Sequence, residues 1–154
     1  MTMQNDSQNN VPIITKEIQF NSQDYIHEVY IRNEVLRIPL GLILSPEQLL
    51  DEEDEFHIGA FISEKLIGCL LLKQLTPSEI QMRQMAILTK HQKKGAGREL
   101  ILFSEKFAMD KGFKSIILHA RNTAKPFYER MGYHTCSSEY LEVGIPHFTM
   151  MKIL

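Results

Sequence analysis

Cysteine is scarce in this chain of 154 residues: Cys69 and Cys136 are too few and too far apart for a disulfide framework, which points to a reducing compartment. Positive charge is not in excess either. Seventeen Lys and Arg against nineteen Asp and Glu leave a net charge of −2, so no bulk field draws the chain to nucleic acid or anionic lipid. Any basic function has to be local. Long apolar runs are missing as well, since the longest, Ile38 to Leu44, is interrupted by Pro39 and Gly41 and falls far short of the roughly 20 residues a membrane helix needs. The polar start, Met1 to Asn10, has neither the basic beginning nor the apolar middle of a signal peptide. Together these absences predict a cytoplasmic protein with no membrane and no nucleic-acid partner. What is present, 44% hydrophobic and 23% charged residues, excludes global disorder. The length suits one domain, expected over residues 11–154 behind a flexible tail over 1–10.

Along the chain, β-branched residues from Val11 to Phe20 predict a strand, and Ser22 caps a helix whose inner stripe is Tyr25, Val29, Arg32 and Leu36, ending before Pro39. Ser45-Pro46-Glu47-Gln48 is a capping box with proline at the first helical position. The acidic run Asp51 to Glu55 reads as a solvated face. Phe56–Ile62 and Leu66–Leu75, separated by Ser63-Glu64-Lys65, predict an antiparallel hairpin. In the next segment the apolar phase is even at Ile80 and Met82 and odd at Met85 and Ile87. One extra residue in a strand makes that slip, so a β-bulge is expected at Gln84 and Met85. The second half alternates: a helix with stripe Leu100, Phe103, Phe107 and Ala108 that ends at Gly112, a strand Ser115–His119, a helix capped by Asn122 or Thr123, then strands Tyr133–Tyr140 and Ile145–Ile153. Helices linking strands require a parallel crossover inside an otherwise hairpin-linked sheet, which makes the fold class α+β with a mixed sheet.

The most informative segment is Gln92-Lys93-Lys94-Gly95-Ala96-Gly97-Arg98, between the bulged strand and a helix start. Glycines let backbone amides approach a ligand, the helix N-terminus leaves N–H groups unpaired, and Lys93, Lys94 and Arg98 surround it with cations. An ordinary glycine turn with solvated lysines explains the spacing equally well. A Walker A loop fits poorly, because Gly97 is followed by Arg98-Glu99, and a Rossmann fingerprint lacks its third glycine and its acid.

This loop, followed by a helix, a strand, and then Asn122 through Phe127-Tyr128-Glu129 to Gly132-Tyr133, resembles the GNAT acetyltransferase superfamily. Val35-Leu36-Arg37, Pro39-Leu40-Gly41-Leu42, Leu118-His119-Ala120 and Glu142-x-Gly144-Ile145-Pro146-His147 are similar to its ElaA-like subgroup. The resemblance implies a mostly antiparallel sheet of about seven strands, a central parallel pair splayed at the bulge, and helices on both faces. It implies acetyl-coenzyme A as acyl donor, its diphosphate on Gln92, Lys93, Lys94, Gly95, Ala96, Gly97 and Arg98 and its pantetheine arm on the main chain of Met85, Ala86 and Ile87. Asn122 and Tyr128 then belong on the far side of the gap, with Tyr128 protonating the departing thiolate while a primary amine attacks directly. The acceptor is a small-molecule or peptide amine, and a homodimer is the assembly considered.

Amine acetylation needs a neutral amine and a protonated leaving thiolate, and no covalent nucleophile. Without the resemblance, Tyr128 reads as a core residue. For the base, His119 ends its strand, His147 sits in the Ile-Pro-His segment, and His57 and Glu142 are further candidates. The six histidines show no paired i, i+4 arrangement, so no metal is expected. The competing reading is a non-catalytic acyl-coenzyme A binding or sensing domain.

Overall fold

The computed structural model describes residues 11–154, and the tail expected over 1–10 lies outside them. The first strand is shorter than the β-branched run suggests: β1 spans Ile14–Ile18. Ser22 Oγ accepts from the Tyr25 amide at 3.2 Å and starts α1, Gln23–Arg32. Beyond Arg32 the coil widens into a π-helical stretch, Asn33–Arg37, and a 3₁₀ turn, Ile38–Leu40, closes it at Gly41 with φ +72°. The capping box forms as expected at Ser45 and Gln48 and begins the short α2, Pro46–Leu50.

β2 (Phe56–Ile62) and β3 (Lys65–Gln74) are the expected hairpin, turned by Ser63 and Glu64 at φ 48° and 67°, the primed-turn conformation that matches strand twist. β4 (Glu79–Ile87) pairs antiparallel with β3 and parallel with β5 (Ser115–Arg121), and between them runs α3, Ala96–Asp110. α4 (Lys125–Arg130) and three strands follow, β6 (His134–Thr135), β7 (Tyr140–Glu142) and β8 (Ile145–Ile153). The strand order is β1-β2-β3-β4-β5-β8-β6, with β7 also on β8. Helices cover both faces. Ile58, Leu70, Leu72, Ile80 and Ile116 pack with Leu100 and Ile101 of α3 on one side, while Ile18, Leu66, Cys69 and Ala86 pack with Tyr25 and Ile31 of α1 on the other. No helix among the described residues is long and apolar enough to cross a membrane.

Three expectations are corrected. The sheet has eight strands, because the stretch read as one strand from Tyr133 to Tyr140 is interrupted: the Thr149 amide donates to Ser137 Oγ at 2.9 Å instead of to a strand carbonyl. The helix near Asn122 is not capped by a side chain. Asn122–Ala124 form a 3₁₀ turn, so the cap position falls on Ala124. The acidic run is not uniformly solvated. Glu52 is buried against Arg32 at 2.5 Å and Glu55 pairs with Arg83, while Asp51, Glu53 and Asp54 face water.

Candidate active site

The bulge read from the apolar phase is present. Between Leu71 and Cys69 of β3 the partner strand runs from Arg83 to Ala86, one residue more than its neighbour, and Gln84 sits at φ +52°. A non-glycine residue in that region is strained and needs holding. The hold is a buried charge cluster. Gln84 Oε1 accepts from Arg32 Nε at 2.9 Å and Nη2 at 2.7 Å, and Gln84 Nε2 donates to Glu52 at 3.2 Å. Arg32 also donates to Glu28 at 3.1 Å, and Glu28 receives His57 Nδ1 at 2.9 Å. Burial pushes the His57 pKa down, but the Glu28 hydrogen bond and charge, with the Glu52 carbonyl, more than offset it, so the net shift is upward. His57, a candidate base in the sequence, is therefore a sealed structural residue.

Beyond Met82↔Leu118 the parallel pairing of β4 and β5 ends, and the strands diverge around a cleft of about 710 Å³. Met85 lines it, as do Gln92, Tyr128, His119, Glu142 and His147. Of the three expected pantetheine positions, Ala86 and Ile87 pair with Cys69 and Gly68 of β3, Ala86 is buried, and Met85 belongs to the bulge. The Ile87 carbonyl accepts from Gln92 Nε2 at 3.0 Å, tying the loop to the strand end.

In the loop, Lys93 and Gly95 have φ 61° and 90°, and a Cβ placed on Gly95 would meet no protein atom within 4 Å. The position is thus open space at the N-terminus of α3, where a helix's unpaired amides can receive an anion. Gly97 serves packing instead: a Cβ there would stand 3.3 Å from the Phe127 ring and 3.8 Å from Met85 Sδ. Lys93, Lys94 and Arg98 are exposed, and Ala96 is buried under the loop. The local field is positive, since burial and then Lys90, Lys94 and Lys65 hold the neighbouring His91 below its ordinary pKa. An open glycine, a 15-residue helix starting at it and surrounding cations form a donor set that fits a diphosphate. Asn122 is exposed in the 3₁₀ turn between Arg121 and Ala124, both of which line the cleft.

The two histidine candidates converge on one carboxylate. Glu142 Oε1 lies 3.0 Å from His119 Nδ1, and its Oε2 lies 3.4 Å from His147 Nε2. His147 Nδ1 donates to the Ile145 carbonyl at 2.7 Å, so Nε2 is the nitrogen it turns to Glu142. Tyr140 stacks on His147 and meets His119 edge-on. Tyr128 is 8% exposed beside Phe127 and Tyr133, and burial raises its phenol well above the ordinary value. It is a protonated donor at any physiological pH. The sequence reading missed the Arg32 cluster, although a charged residue on an otherwise apolar helix stripe asks for a buried partner, and Glu28 lies one turn before it.

A sheet split at a bulge, with a glycine loop leading into a helix on one side and a tyrosine on the other, defines an acyltransferase fold. A family model described as acetyltransferase (GNAT) domain matches residues 43–154, and the chain belongs to that family. It is 31% identical over 134 residues, 86% of this chain and 94% of the relative, to the uncharacterized N-acetyltransferase YjcF of Bacillus subtilis. Solved structures share the fold: a Lactobacillus plantarum protein (TM-score 0.78, 24% identity, 93% of this chain and 97% of that one) and Escherichia coli ElaA (0.74, 18%, 92% and 99%). So does a GNAT family acetyltransferase of Elizabethkingia anophelis with acetyl-CoA bound (0.70, 17%, 92% and 98%).

Proposed function

We propose that this acetyltransferase moves an acetyl group from acetyl-coenzyme A to a primary amine. The observation that carries the reading is the convergence of Tyr128, His119, Glu142 and His147 on the one cleft that the Gln84 bulge opens beside the glycine loop. Acetyl-coenzyme A supplies an activated thioester. The amides at the start of α3, with Lys93, Lys94, Gly95, Ala96, Gly97 and Arg98, hold its diphosphate, Gln92 anchors the loop, and the main chain at Met85 and Ile87 faces its arm, with Asn122 at the edge of the cleft.

His119 and His147 take different parts. Glu142 accepts from His119 Nδ1, which fixes the tautomer whose Nε2 carries a lone pair, so His119 takes the proton of the attacking amine. His147 is 5% exposed and held by its Nδ1 donation to the Ile145 carbonyl, so it packs its ring against the Glu142 side of the cleft with Nε2 at 3.4 Å from the carboxylate. Tyr128 gives its proton to the leaving sulfur. Burial suits it to that role, because a phenol kept from ionising stays a donor until sulfur develops charge.

The test is free-thiol release from acetyl-coenzyme A across a panel of amines, polyamines, amino sugars and peptides. Release that requires an amine is the expected result. Tight binding of the donor with no release by any amine would instead identify an acyl-coenzyme A sensor.

A further inference from the structure

We infer that the acceptor carries an anionic group, a carboxylate or a phosphate, seated between Arg37 and Lys73. The inference rests on the acetyl-transfer reading of the same cleft and names the class of amine it takes.

Charge in the cleft is one-sided. Its lining includes Arg37, Lys73, Arg83 and Arg121, against Glu142 as the one carboxylate among the described lining residues. Arg83 is neutralised by Glu55. Arg37, Lys73 and Arg121 form no ion pair among the described residues; Arg121 ends β5 on the other wall, and Arg37 is half-buried with Nε closed off from water and without a hydrogen-bond partner. Nε is as closed to a ligand as to water, but the two Nη groups are not closed off and make no hydrogen bond among the described residues, so they are the donors this guanidinium offers to an anion. Its backbone is held where it is: Arg37 ends the π-helical stretch, and its carbonyl receives the Leu42 amide at 3.0 Å.

Arg37 and Lys73 also line a side cavity of about 200 Å³ that opens beside the main cleft, together with Arg83 and Gln84. That cavity shares no residue with the glycine loop, β5 or α4, so it lies on the acceptor side and is not needed for the donor's diphosphate. The acidic run does not turn it into a cation site. Glu52 is bound to Arg32 and Gln84, Glu55 to Arg83, and Asp51 is exposed and forms no ion pair with Arg37 or Lys73. Glu52 Oε1 is unpartnered as well, but an acceptor there asks for a hydroxyl or N–H donor, which places the anion on the Arg37 and Lys73 side. An amine with its anion at that end presents its nitrogen toward His119 and Glu142.

Matched pairs test this: 4-aminobutyrate against 4-aminobutyramide, and O-phosphoethanolamine against ethanolamine, with spermidine as a cationic control. Each is assayed for acetylation and titrated calorimetrically into the coenzyme A-loaded protein. At least a tenfold preference for the anionic member of a pair is expected, and the favoured pair tells carboxylate from phosphate. Arg37→Gln, and separately the exposed Lys73→Met, should cut that ratio at least tenfold while the thermal midpoint holds. Equal use of both members, preference for spermidine, or absence of binding by any anionic amine overturns the inference, and acetylation of uncharged amines leaves acetyl transfer standing. Arg37-dependent binding of the anionic amines without acetylation of any sustains the anion seat and removes the transfer reading.

Discussion

Two carboxylate–histidine pairs, Glu28 with His57 and Glu142 with His119, have contacts of 2.9 and 3.0 Å, yet their settings differ throughout. Glu28 and His57 are 0% and 1% exposed and welded to Arg32, Glu52 and Gln84. Glu142 and His119 stand open on the cleft wall, with one ring nitrogen of His119 free for chemistry. The same residue types are sealed into scaffold in one place and, on the proposed mechanism, left for proton transfer in the other, according to solvent access and to whether the last lone pair is already used. Chemistry needs a site left incomplete.

The largest effects should come from the open side. Tyr128→Phe and His119→Gln are each expected to lower kcat by roughly 10²–10⁴-fold with the fold and donor affinity kept. Full activity in a destabilised Tyr128→Phe protein would return that tyrosine to packing. On the sealed side, Glu28→Ala leaves Arg32 and His57 buried without their partner and should cost about 3–5 kcal/mol of stability. Glu142→Ala should change stability by no more than about 0.5 kcal/mol while lowering turnover, as measured by chemical denaturation and steady-state kinetics together. Comparable stability losses in both would erase the contrast.

A smaller effect is expected at the loop. Gly95→Ala, which forces a side chain into a φ of +90° on the face open to the diphosphate, should weaken coenzyme A binding at least tenfold, about 1.4 kcal/mol. The smallest signal sharpens the sealed pair. Because the folded pKa of His57 is raised above 6.5, its contribution to stability is fully present below pH 6.5 and fades as pH rises through the folded value. A stability–pH profile should slope downward there in the wild type, and the slope should flatten in His57→Gln.

Features governed by local rules were legible in the sequence. The phase change from Met82 to Met85 gave the bulge, Ser45 and Gln48 the capping box, and Gly95 before a helical stripe the loop at the start of α3. What stayed hidden depends on partners distant in the chain. Nothing near Glu52 or Glu55 announces that Arg32 and Arg83 will turn them inward, nor that Ser137 will take a hydrogen bond from Thr149 and cut a strand in two. His119 and His147 were separate candidates until the β7 turn brought Glu142 between them.

The π-helical stretch sets where Arg37 points. A π turn holds more residues than an α turn, so the side chains that follow it are rotated relative to the helix before it. α1 cannot slide, being pinned by Arg32 on one side and by Asn33, whose side chain receives the Leu44 amide at 2.9 Å, on the other. Deleting the exposed Glu34 should therefore return an ordinary helix, swing the Arg37 side chain by about 100° around the axis, and strip the cleft of its cationic corner. If the anion seat is where we infer it, the wider turn at position 34 is part of what sets acceptor choice, and the deletion variant should change that choice on an unchanged sheet.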